Sequence, residues 1–350
     1  MAIELKELRE LLEQLGDQAT SISYTRLYPL SDLAGERWDE FRGAWSAFPV
    51  DLRQRLMRAL VELAEASFEV NFDTIFRHGL HDPDDQIRAL AIDGLWENED
   101  VNLVGPMLTM LRADPSARVR AAAASGLGRF VLAGELDKLA QPIQERIVTE
   151  LLTAIHLADE SVEVQRRAVE SVAYTCRPEV AEALEIAYYH EDEKMRISAV
   201  TGMGRSCDTQ WSDIVLQELD SSSPAMRYEA AWASGELMLQ KAVVPLARMI
   251  QDADPQVSSA CIWALGQISG SRAKQALFDA YEDADAHMRE AIEEALAEHA
   301  LVDGDLDLTL YSLDEDLDEA MLDDDLYVLW SADDDDDRGP DRDNGEFDER

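Results

Sequence analysis

Basic residues are scarce in this chain. Its 350 residues carry 31 Lys and Arg against 73 Asp and Glu, a formal net charge of −42. Phosphate binding draws on clustered bases that release counterions, so this balance excludes a general affinity for DNA or RNA. It also predicts repulsion from anionic membrane surfaces. Long apolar runs are missing too, none approaching the roughly 18 residues that cross a bilayer. Cysteine is sparse: Cys176, Cys207 and Cys261 are widely spaced and form no C-x-x-C pair. That argues against a disulfide framework or a zinc site and fits a reducing compartment. The opening Met-Ala-Ile-Glu-Leu-Lys-Glu-Leu has no basic stretch followed by an apolar one, so a cytoplasmic protein is expected. Motifs that carry chemistry are lacking as well: there is no Gly-rich phosphate loop, G-x-S-x-G or H-E-x-x-H. Asp303-Gly304-Asp305-Leu306-Asp307 has neither the sixth-position Gly nor the closing Glu of a calcium loop. No catalytic residue, metal site or cofactor is predicted.

What is present is unevenly placed. Residues 301–350 hold 21 acids and 3 bases, including the run Asp333 to Asp337. Such a segment repels itself and buries too little apolar surface to offset its ordering entropy. The expectation is a disordered acidic tail from about Ser331. Before it, Leu306, Leu310, Leu313 and Leu317 share helical spacing, although Leu306-Leu308-Leu310 also alternates like a strand.

The body repeats. Ile87, Val119, Val164, Met195, Met226, Val257 and Met288 head similar segments, and the last four steps between them are each 31 residues. With each of these as position zero, position +1 is Arg in five units (Arg88, Arg120, Arg196, Arg227, Arg289). Position +4 is Ala91, Ala123, Ala168, Ala199, Ala230, Cys261 and Ile292; position +9 is Gly or Ala in six units. Small residues at a fixed place let two helices approach closely. Cys261, standing among alanines, reads as a small core residue. Each unit reads as two helices. The anchor helix follows a turn such as Asp82-Pro83-Asp84 or Asp114-Pro115-Ser116, which supplies an N-cap and an N1 proline. Its partner is amphipathic, as in Val243–Ile250 and Ala276–Tyr281. No sustained β-branched alternation occurs, so the predicted fold class is all-α, an α-α superhelix, since helix pairs at this period bury their apolar faces by stacking. The predicted organisation is a helical N-terminal cap over 1–80, about seven repeat units over 81–300 and the acidic tail over 301–350. The step from 119 to 164 carries about fourteen extra residues near Val131–Pro142, read as a lengthened loop or helix.

The pattern resembles the HEAT-repeat family, and most of all its short phycobilisome-lyase variant, D-P-x-x-x-V-R-x-x-A-x-x-x-L-G. Asp114-Pro115, Val119-Arg120, Ala123 and Leu127-Gly128 match every specified place. The unit at Asp254-Pro255 departs, with a turn two residues shorter, Ser258 for the Arg and Cys261 for the Ala. The resemblance covers roughly residues 80–300. It implies a HEAT-repeat solenoid and an Arg at +1 that pairs with an acid of the neighbouring repeat. It also suggests two enzymes. Deoxyhypusine hydroxylase builds a di-iron site from several His-Glu pairs, and only His190-Glu191 has that order here, so this reading is rejected. A bilin-lyase-like or chaperone-like enzyme acting on a chromophore or protein substrate stays as the alternative, on fold analogy alone.

The leading expectation is a non-enzymatic scaffold that binds a peptide or helix of another protein in a concave groove. Positions +2, +6 and +10 of the anchor helices share a face. Trp232 and Trp263, both at +6, would form an aromatic strip with Tyr228 and Tyr174, flanked by Arg129, Arg166 and Arg205. Aromatics and Arg are enriched at binding hot spots. Packing of the tryptophans against the adjacent repeat is the other reading of the same register. The expected partner is another protein, and the acidic tail would attract a basic one; nucleic acid and membrane are not expected.

Overall fold

The computed structural model describes residues 4–17, 22–282 and 284–302. The acidic-tail expectation, including the Leu306–Leu317 pattern, lies outside the described residues. Among those described, every regular element is helical. The first two helices are α1 (Leu5–Gly16) and α2 (Glu36–Ala47). The anchor helices are α3 (Val50–Ala66), α5 (Asp85–Gly94), α7 (Ala117–Glu135), α9 (Val162–Val172), α11 (Glu193–Arg205), α13 (Pro224–Glu236), α15 (Pro255–Gln267) and α17 (Ala286–Val302). Between them lie the partner helices α4 (Asp73–Gly79), α6 (Val104–Ala113), α8 (Gln141–His156), α10 (Pro178–Tyr188), α12 (Ser212–Glu218), α14 (Val243–Met249) and α16 (Ser271–Glu282). The extra residues of the long step are mostly helical: α7 and α8 are both extended, leaving 136–140 as the connection.

The result is a stacked helix-pair solenoid with two layers. Each anchor helix from α3 to α13 packs on the next anchor helix, and those from α5 to α15 pack on partner helices as well, whereas the partner layer touches along itself more sparsely. The repeat positions explain the difference. All seven residues at +4, from Ala91 to Ile292, are 0% exposed and form the seam between the layers. At +9, a Cβ on Gly204 would lie 2.8 Å from the Ala233 Cα, and one on Gly266 would lie 2.9 Å from the Ala295 carbonyl oxygen. Thus +9 of one anchor helix meets +7 of the next, backbone against backbone. Cys261 is in this core, and burial pushes its thiol up to about 12, as a core residue requires.

The +1 ladder joins successive units. Arg88 donates to both carboxylate oxygens of Asp114 at 2.9 and 2.8 Å. Arg120 does the same to Glu160 and Arg227 to Asp252. Arg88, Arg120 and Arg227 also donate to a carbonyl of their own turn. Arg196 reaches only its own turn, through the His190 and Glu191 carbonyls. The physical reason is in the next unit, where Ser221 stands five residues before the anchor, the place held by Asp114 and Asp252. His190 itself accepts the Asp192 N–H at Nδ1 and so serves the turn.

Two sequence expectations change. Asp252 takes the place of Asp114, with Asp254 as the N-cap and Pro255 at N1, so this turn keeps its length and the motif alignment had slid by two residues. Pro83 and Pro115 sit one residue before the caps Asp84 and Ser116, not at N1.

Candidate interaction face

A regular cross-helix register shapes the solvent side of the anchor layer: a side chain at +6 meets the residue at +3 of the next anchor helix. Glu170 accepts from the Ser198 hydroxyl, and Thr201 donates to Glu229 at 2.8 Å. Burial raises the Glu229 carboxyl above the usual range, against the lowering by Thr201. Further along, +3 becomes Ala260 and Ala291, and +6 becomes Trp232 and Trp263. Small residues opposite leave room for the indoles to lie across the helices.

The structure brings Tyr228, Trp232 and Trp263 together. The two indoles have ring centroids 3.5 Å apart at 34°, and Tyr228 lies 6.4 Å from Trp232. All three are half-buried. Trp263 rests over Gly235, where a Cβ would come within 2.6 Å of its ring. The tryptophans pack on the neighbouring unit and still present surface. The Trp232 Nε1 has no acceptor among the described residues. Tyr174 is not part of this cluster; it lies under the Arg205 guanidinium at 5.2 Å.

The three flanking arginines are engaged in the array. Arg205 donates to the Glu170 carbonyl. Arg166 bonds Glu163 in bidentate fashion and reaches Glu170. Arg129 donates to the Asn98 carbonyl and lies 4.8 Å from the Phe130 ring; burial pulls it down to about 10, leaving it charged at neutral pH. They set the shape of the face and offer few free donors.

The N-terminal half of the same face differs. A cavity of about 840 Å³ spans α3, α5, α7 and α9. Its floor is Ala89, Ala121 and Ala122, and its edges carry Arg58, Arg118 and Arg167. Position +2 is Ala89 and Ala121 here, where later units hold Ile197 or Tyr228, and Ala122 stands at +3 of α7. Asp93 at +6 faces this gap, with Ala122 at the +3 place opposite. Its surroundings push its carboxyl up to about 6, chiefly by desolvation, with Glu65 adding and Arg167 opposing. The sequence reading gave no binding role to Arg58, Arg118 or Asp93. It also missed that Leu52-Arg53 continues the ladder: Arg53 pairs with Asp82, five residues before the next anchor. The large Leu56 and Val61 at +4 and +9 hid that unit.

Paired helices, a buried +4 seam and cross-unit Arg–acid links define the class: this is an all-α, HEAT-like solenoid of stacked helix pairs. The family comparisons fit that class. The family described as HEAT repeats matches residues 212–297, and the HEAT repeat family matches residues 103–133. Among solved structures the chain is similar to Escherichia coli YibA, at 17% identity over 69% of this chain and 94% of that one, TM-score 0.41. It is similar to Kap95p, bound to RanGDP, at 15% identity over 94% and 49%, TM-score 0.43. A third likeness is to human deoxyhypusine hydroxylase, at 19% identity over 85% and 97%, TM-score 0.30. A search of curated proteins finds no match.

Proposed function

We propose that the protein is a non-enzymatic interaction scaffold that holds a peptide or helix of another protein along the anchor-helix face. Solenoids of this kind generally act in protein–protein interaction, because stacking creates a long continuous surface. The observation that carries the reading is the Tyr228–Trp232–Trp263 cluster on adjacent units. Half-buried aromatics held rigid by packing lose little entropy when a partner covers them, which is the character of a hot spot. An inner, concave position for this face fits the closer approach of the anchor helices, since a stack bends toward its more tightly spaced layer. The finer likeness, to the phycobilisome-lyase variant of the repeat, rests on the Asp114–Gly128 motif alone. The test is affinity purification from the native host with wild-type and Trp263→Ala protein, each checked for folding by circular dichroism. Partner recovery should fall at least tenfold in the variant. Equal recovery overturns the assignment.

A further inference from the structure

The cavity between α3 and α9 is a second place on this face, built from different residues and suited to different chemistry. Arg58 and Arg118 are exposed on its edge and make no hydrogen bond or ion pair among the described residues. Every +1 arginine, by contrast, is spent on a turn carbonyl or an acid. Both guanidinium groups face solvent in a chain of net charge −42, with Asp85 within electrostatic reach of Arg118. Glu163, the other acid of the lining, is neutralised by Arg166 and Arg167. Asp93 is the remaining acid of the lining, and no hydrogen-bond donor among the described residues reaches it.

Between these groups the floor is methyl groups of Ala89, Ala121 and Ala122. The alanine run 121–124 divides its work by helical spacing: Ala123 and Ala124 are 0% exposed in the core, while Ala121 and Ala122 border the cavity. Here about 840 Å³ stays open.

We propose that this cavity is a docking site for an acidic peptide segment of a partner protein. Carboxylates of the segment pair with Arg58 and Arg118, which offer bidentate, charge-assisted hydrogen bonds. Asp93 accepts a backbone N–H of the segment, and its small side chains rest on the alanine floor. The proposal rests on the reading of the anchor-helix face as an interaction surface, but not on the aromatic cluster.

The test uses the full chain and three labelled peptides of equal length, Glu-Ala, Ser-Ala and Lys-Ala repeats, in fluorescence anisotropy at low salt. The Glu-Ala peptide should bind despite the like net charge of the protein, and the Ser-Ala peptide at least tenfold more weakly. Arg58→Ala/Arg118→Ala should weaken Glu-Ala binding about tenfold or more, the loss expected when charge-assisted bonds are removed. Both side chains are exposed and unpaired, so this variant should melt like wild type. Trp263→Ala should leave Glu-Ala binding within twofold, which separates this site from the aromatic one. Absence of Glu-Ala binding, equal binding of the Lys-Ala peptide, or equal affinity in the double arginine variant overturns the proposal.

Discussion

Arg88, Arg120 and Arg227 show what one residue does in this array. Each guanidinium is largely buried, with side-chain exposures of 13%, 20% and 17%, and each holds its own turn and the next one at once. The pairing raises all three arginines and lowers Asp252 and Glu160. Asp114→Ala leaves Arg88 without its bidentate acceptor and should cost about 2 kcal/mol, read by urea unfolding; a loss below about 0.5 kcal/mol would contradict the ladder. The missing partner of Arg196 gives the opposite prediction. Ser221→Asp supplies an acid at the place of Asp114 and should raise the melting temperature. The +1 Arg was legible in the sequence because it recurs at one spacing. Asp252 was harder, because Asp254-Pro255 offered a false match to the D-P signal. Asp93 predicts a pH effect. Its folded-state carboxyl, raised to about 6, opposes folding as it ionises, a penalty absent below about pH 4, complete above about pH 7 and kept small by the exposure of the side chain to water. Asp93→Asn should therefore raise the melting temperature at pH 7.5 and leave it unchanged at pH 3.5.

At the scale of the helices, the register decides what the face looks like. Anchor helices approach until +9 meets +7, so Gly204→Leu forces α11 away from α13. Overpacking of this kind costs about 1–3 kcal/mol, measurable as a shift in the urea midpoint; an unchanged midpoint would contradict the close approach. The helices themselves were legible from their period: α14 and α16 fall where apolar spacing put them. The contact from +6 to +3 was not legible. It depends on the rotation and offset between neighbouring helices, which a single sequence does not encode as spacing. For that reason Trp232 and Trp263 were found as a pair, while the facing Ala260 and Ala291 were not. The same blindness concealed the cavity, since the register that sets Asp93 opposite Ala122 is not written in the spacing of either helix.

Across the whole molecule, charge and stacking oppose one another. A net charge of −42 repels itself over distances that salt screens, whereas the part-buried Arg–acid pairs are screened much less. Moderate added salt should therefore raise the melting temperature; a fall would mean that exposed ion pairs dominate. The account makes the anchor-helix face, with its aromatic cluster and its arginine-edged cavity, the surface that meets a partner. Photo-crosslinking in the native host tests this most directly, with a photoreactive residue placed in turn at Ser125 or Ser259 on that face and at Val244 on a partner helix, all three exposed. The account predicts crosslinks to one partner protein from positions 125 and 259 and none from 244. Crosslinks to that partner from 244 alone would contradict it.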